Sequence, residues 1–178
     1  MELLPGKVTA ARITGILHPK YQVHGYSVQL TAHKISEVDP TGQIDFGGSD
    51  FVAAGRTEIA PRRIRPEDTY QWWELGRGSY FVECNETLNL ADDEIALIEP
   101  EDRLLRAGGW HVPVFMRGHV APVELLLQLN ISRLMVKENA RFARVRLFRI
   151  ITDKSMIRRS KILRAARSVK PKTATRKG

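Results

Sequence analysis

The sequence predicts an all-β domain, a sandwich or barrel, followed by a basic C-terminal extension. Three observations lead there. Apolar and polar residues alternate over several short segments, Gly, Pro, Asn and Asp punctuate them at close intervals, and the positive charge collects at one end of the chain. At 178 residues the chain fits one domain with an appendage.

Val8, Ala11 and Leu17 recur at helical spacing after Pro5-Gly6, which predicts a short helix near residues 7–16. Strands are predicted at Tyr26–Lys34, Ser79–Cys84, Glu94–Glu99, Val123–Leu129 and Arg141–Phe148. Pro40-Thr41-Gly42, Gly47-Gly48 and the stretch from Pro61 to Pro66 mark turns or loops. The body is expected to span residues 1–151 and the basic extension residues 152–178. Within the extension, Ser155–Ser168 reads as a marginal basic amphipathic helix, with Met156, Leu163 and Ala166 near one face. Val169–Gly178 has almost nothing to bury and is expected to be disordered when free.

The net charge of +8 is unevenly placed. Thr152–Gly178 holds ten basic residues and one acid, a net of +9, which leaves the body at −1. That asymmetry points to a polyanion-binding tail on a conventional domain. Arg141, Arg144, Arg146 and Arg149 are expected to extend the basic surface from tail to body. No apolar run approaches the ~20 residues of a membrane-spanning helix, and the first residues lack a signal-peptide pattern. A single cysteine, Cys84, excludes an internal disulfide or a multi-cysteine zinc site and fits a reducing cytoplasm.

Isolated chemical signals are weak. His18, His24, His33, His111 and His119 show no metal-ligand spacing and read as structural or surface residues; no metal is expected. Gly76-Arg77-Gly78 and Gly108-Gly109 lack the Lys and Ser/Thr of a phosphate loop, and there is no GxSxG elbow. Tyr70, Trp72 and Trp73 read as packing, at a subunit contact or otherwise, with base stacking as the functional alternative.

A longer pattern runs through the body. Gly42-Gln-Ile44-Asp45-Phe46, Gly78-Ser-Tyr80-Phe-Val-Glu-Cys-Asn85-Glu86, Arg103-Leu104-Leu105-Arg106-Ala-Gly108 and Asn139-Ala140-Arg141-Phe142-Ala143 follow one another in order. This resembles the dUTP diphosphatase (dUTPase) / dCTP deaminase family over roughly residues 20–150. The resemblance implies a distorted jelly-roll β barrel, a homotrimer with active sites between subunits, and, for an active enzyme, Mg2+.

Laid on that family's motifs, several reactive positions differ. The Arg-Ser-Ser positions that bind triphosphate fall on Glu101, Asp102 and Arg103, and only the later Arg, Arg106, is matched. The water-activating Asp falls on Met116 and the deoxyribose-packing Tyr on His119, beside the matched Gly118. The early G-x-D-L motif reads Gly25-Tyr-Ser27-Val28, without its Asp. The deaminase Glu falls on Leu126, leaving Glu124, two residues earlier on the same strand face, as the fallback carboxylate.

Compared with that family's motifs, therefore, the body is expected to be catalytically degenerate, with Arg106, Gly118 and His119 as a vestigial nucleotide site. The tail is expected to bind structured RNA through Arg158, Arg159, Lys161, Arg164, Arg167, Lys170, Lys172, Arg176 and Lys177. Its resemblance to the extensions of ribosomal proteins implies ribosomal RNA and ribosomal proteins as partners. The alternative is a nucleotide enzyme of the dUTP diphosphatase / dCTP deaminase class with an unconventional site.

Overall fold

The architecture rests on one long strand that joins the two halves of the main sheet. The structure, a computed structural model, describes residues 1–151. In chain order its elements are β1 (Glu2–Leu3), α1 (Gly6–Ala10), β2 (Ile13–Thr14), α2 (Pro19–Gln22), β3 (Val23–His24) and β4 (Ser27–Val38). There follow β5 (Arg56–Glu58), β6 (Trp72–Leu75), β7 (Gly78–Cys84), β8 (Thr87–Asn89), β9 (Glu94–Pro100) and α3 (Asp102–Arg106). The body closes with β10 (Gly109–Trp110), β11 (Val114–Met116), β12 (His119–Val120), β13 (Glu124–Leu129), β14 (Leu134–Lys137) and β15 (Arg141–Arg149).

These strands form a ten-stranded antiparallel sheet ordered β10-β13-β7-β4-β15-β9-β11, with β1, β3 and β5 attached at its sides. Two smaller sheets, β12-β8-β2 and the ribbon β14-β6, pack beside it. The all-β barrel class expected from the alternation is what the chain adopts. Alternate residues of β7 and β13 (Tyr80, Val82, Cys84; Leu125, Leu127, Leu129) point inward to a core that also holds Val28, Leu30, Ile35, Ile98, Val145 and Leu147.

Strand β4 does the joining. Its first part pairs with β15, Val28 opposite Val145 and Leu30 opposite Ala143. Its second part pairs with β7, Ile35 opposite Val82. The register shifts between Ala32 and Lys34, the signature of a bulge that bends a strand from one sheet towards another. At this corner the Thr31 amide donates to the Glu86 carboxylate (2.8 Å), and Thr31 Oγ1 and Gln22 Nε2 donate to the same group at 2.8 and 2.7 Å. Glu86 is completely buried, and that burial pushes its pKa up, while the hydrogen bonds from Thr31 and Gln22 pull the other way.

The N-terminal helix is shorter than the 7–16 expected. It ends at Ala10 because the chain must turn at once into β2, whose Ile13 pairs with Leu88 of β8. Its first residue has to be glycine, since a Cβ on Gly6 would lie 1.8 Å from the His24 carbonyl oxygen. The five expected strands are all present, and β4 runs on to Val38, four residues beyond the expected end.

A second buried carboxylate ties the start of β9 to the N-terminal segment. Glu94 accepts from Arg12 Nε (2.7 Å) and Nη2 (3.1 Å), from Arg149 Nη2 (3.2 Å) and from the Ala91 amide (3.1 Å). The Arg12 guanidinium, first among these causes, holds the Glu94 carboxyl below its ordinary value of 4.5. Stability from this cluster is therefore present above that value and lost as pH falls through the lower folded one. Glu94→Gln should cost about 2 kcal/mol near pH 7, less than a fully buried pair because Arg12 and Arg149 stay partly exposed. Urea unfolding from about pH 7 to pH 3 should show a shallower acid loss in the variant than in the parent.

Candidate active site on the outer sheet face

Alternation along β13 sends Leu125, Leu127 and Leu129 into the core and leaves Glu124, Leu126 and Gln128 facing outward. On the neighbouring β7, Phe81 and Glu83 face the same way, with Leu126 opposite Phe81 and Glu124 opposite Glu83. Two carboxylates directly across a ladder repel one another, so the face needs cations. It has two. Arg56, on β5, hydrogen-bonds and ion-pairs with Glu124, and its guanidinium carbon stacks 3.9 Å above the centre of the Phe81 ring. Lys34, on β4, lies 3.0 Å from Glu58 and 4.0 Å from Glu83.

The result is a half-buried carboxylate, Glu124, oriented by a guanidinium that is itself fixed on an aromatic ring, over an apolar floor of Phe81 and Leu126. Such a carboxylate can accept a proton from a bound water and return it to a leaving or ring atom. Glu124 was reachable from sequence through strand spacing. Arg56, Lys34 and Phe81 were not, because Arg56 reaches this face from β5, on the far side of the long 39–55 loop.

The other positions singled out by sequence are placed elsewhere. Arg106 lies exposed on α3 with no hydrogen-bonded or ionic partner among the described residues. Gly118 has φ +69° in the turn before β12, a conformation that favours glycine, and its carbonyl accepts the Leu90 amide. His119 is exposed, and its Nδ1 meets Asn89 Oδ1 at 2.7 Å. Arg106 thus sits on a helix, Gly118 in a turn and His119 at the start of β12, and no hydrogen bond links them. His111 is buried against Phe142, with Nδ1 on the Val112 carbonyl and Nε2 unpartnered; burial pushes its pKa down and keeps the ring neutral.

Glu101 and Asp102 stand where the resemblance puts triphosphate-binding residues. Arg144 partly offsets their charge, with Nη2 2.7 Å from Asp102 and Nε 3.8 Å from the buried Glu101, while Arg103 and Arg106 on the same helix are unpaired among the described residues. The arginines of β15 do not form the expected basic surface. Arg144 faces these acids, Arg146 pairs with Glu99, Arg149 pairs with Asp93 and Glu94, and Arg141 donates to the Tyr21 carbonyl and Gln29 Oε1. Trp73 packs in the core, as expected, and Tyr70 stays nearly half exposed with the Lys137 ammonium 4.0 Å from its ring centre. Cys84 is buried, and that burial pushes its thiol pKa up. The proposed RNA-binding residues, Arg158 to Lys177, lie outside the described residues.

No family model matches the chain. Among curated proteins it is 26% identical, over 122 residues, to the probable deoxyuridine 5'-triphosphate nucleotidohydrolase of Methanosarcina acetivorans, a match covering 67% of this chain and 68% of the relative. Among solved structures it resembles the 2'-deoxycytidine 5'-triphosphate deaminase of Agrobacterium tumefaciens, with a TM-score of 0.60 and 15% identity over 90% of this chain. It spans about half of that deaminase, 53% of its length, and at this identity the likeness is one of fold.

Proposed function

We propose that this chain, whose fold and curated relative are those of the dUTP diphosphatase / dCTP deaminase family, is a nucleotide enzyme of that class, with Glu124 as its acid–base carboxylate. The observation that carries this reading is the outward Glu124, set by Arg56 two residues from Leu126, the position that the resemblance gives to the deaminase carboxylate. The apolar floor of Phe81 and Leu126 offers a surface for a pyrimidine ring. Arg103 and Arg106 on α3, unpaired among the described residues, offer positive charge for phosphates. In a homotrimer with sites between subunits, α3 of one copy would supply the phosphate contacts to the β13 face of another. Among the described residues no cluster of three or more His, Cys, Asp or Glu is placed to hold a metal ion, so no step is assigned to Mg2+.

This reading replaces the expected non-catalytic role as the leading one, because its support is a probable nucleotide hydrolase among relatives and a deaminase fold. Purified protein should release pyrophosphate from dUTP or ammonia from dCTP. Glu124→Gln should lower turnover by about 10²–10⁴-fold while leaving the fold intact, the usual worth of a positioned general base. Absence of turnover on both nucleotides, or an unchanged rate in the variant, would overturn the proposal.

A second reading rests on the +9 carried by residues 152–178, which favours structured RNA as a partner of the tail. If Arg158, Arg159, Lys161, Arg164 and Arg167 each meet a phosphate, log K should fall by about 4 per unit of log salt. A chain cut after residue 151 should lose both the affinity and the slope. Equal affinity and slope for the two chains would discard this reading.

A further inference from the structure

One cavity on the body matches neither the outer face nor a nucleotide. It measures about 230 Å³ and opens between the core, α3 and the ribbon strand β14. Its walls are Ile35, Val82, Leu127 and Phe142 from the core, closed by Leu134 and Val136 of β14. Among the described residues no Asp, Glu, Asn, Gln, Ser, Thr or His side chain lines it, although the body as a whole carries 19 acids. The charged groups there, among the described residues, are all cations: Arg103, Lys137 and Arg141.

A nucleobase needs partners for its ring nitrogens and exocyclic groups, and these walls provide neither amide nor hydroxyl side chains. The +9 tail is a poor occupant for a cavity whose charges are all positive. Arg103 has no ionic partner among the described residues. Lys137 is engaged with the Tyr70 and Trp72 rings, at 4.0 and 5.6 Å from their centres, and Arg141 with Tyr21 and Gln29. Arg103 is therefore the cation with charge to spare.

We propose that this cavity binds a small amphipathic anion, an aliphatic chain ending in a carboxylate, with the chain among Ile35, Leu127 and Phe142 and the head on Arg103. An apolar cavity of about 150 Å³ holds a six-atom ring such as benzene, so this one suits about nine heavy atoms, enough for the eight carbons of octanoate with its carboxylate at the mouth on Arg103.

The test is titration of the full chain with carboxylates of increasing length, read by intrinsic tryptophan fluorescence, because Trp72 lines the cavity. Each added methylene should tighten binding about fourfold until the cavity is full near octanoate. Octanol should bind at least about tenfold more weakly than octanoate, and Arg103→Glu should weaken octanoate by a similar factor without affecting octanol. Ala107, exposed at the end of α3 and at the cavity wall, gives a variant that spares the core: Ala107→Trp should abolish binding of both ligands. No saturable response, equal affinity for octanol and octanoate, or octanoate binding that survives Ala107→Trp would overturn the proposal. So would sedimentation showing an oligomer that excludes octanoate, since a second copy would then fill the cavity. Because Glu124 lies on the opposite face of β13 from Leu127, loss of turnover in Glu124→Gln with octanoate binding intact separates this proposal from the proposed active site.

Discussion

Everything else in the body depends on the corner at Thr31, where β4 leaves β15 and joins β7. A strand that changes partners strands a backbone amide, and here the Thr31 amide is taken by Glu86 instead of a neighbouring strand. A fully buried carboxylate is costly to desolvate, and only three short hydrogen bonds from Thr31 and Gln22 make it tolerable. The same corner is tightened by the Asn85 amide on the Thr31 carbonyl and by Asn85 Nδ2 on both Thr31 Oγ1 and Asn139 Oδ1. Asn139 sits there with φ 61°, a left-handed conformation that asparagine accepts better than most residues. The Asn85-Glu86 pair and Asn139-Ala140-Arg141, which look like separate sequence motifs, are thus two sides of one joint.

β7 and β13 pair over six residues, and their outward side chains share one face. Inward leucines hold β13 in register, and a slip of one residue would exchange Glu124 for Leu125 on the exposed face. The position of the carboxylate is therefore decided by the core behind it. Its orientation is decided from the side, by Arg56 lying on Phe81. Arg56 belongs to a three-residue edge strand whose attachment to β4 comes from Ser36, Glu37 and Val38. The late part of β4 thereby positions a group for chemistry as well as extending the sheet.

The strands were legible where period-two alternation and turn residues agree, as in Gly78–Cys84 and Arg141–Arg149. The end of β4 was less so, because Ser36 and Glu37 break the apolar pattern although their backbone pairs with Phe81 and Tyr80 of β7. α3 escaped notice since five residues, DRLLR, are too few to show a helical period. The charge pattern of β15 misled for a different reason. Its arginines look like a basic stripe when read along the chain, but the acids that neutralise them, Asp93, Glu94, Glu99, Glu101 and Asp102, sit on β9 and around α3, more than 40 residues earlier. Sequence spacing reveals which residues share a face; it does not reveal what a distant strand places opposite them.

The two-sided use of β4 also bears on how the chain is made. Its later half can pair with β7 once residue 84 exists, but its earlier half must wait for β15: Gln29 and Arg141, joined by a side-chain hydrogen bond, stand 112 residues apart. During synthesis one edge of β4 therefore stays open while nearly all of the body is added, with Val28 and Leu30 uncovered and their amides unpaired. An edge of that kind invites pairing with other chains. A nascent polypeptide of this design is safest when its last strand arrives quickly, and the interval before Arg141–Arg149 emerges is the period in which it has the most to gain from a chaperone.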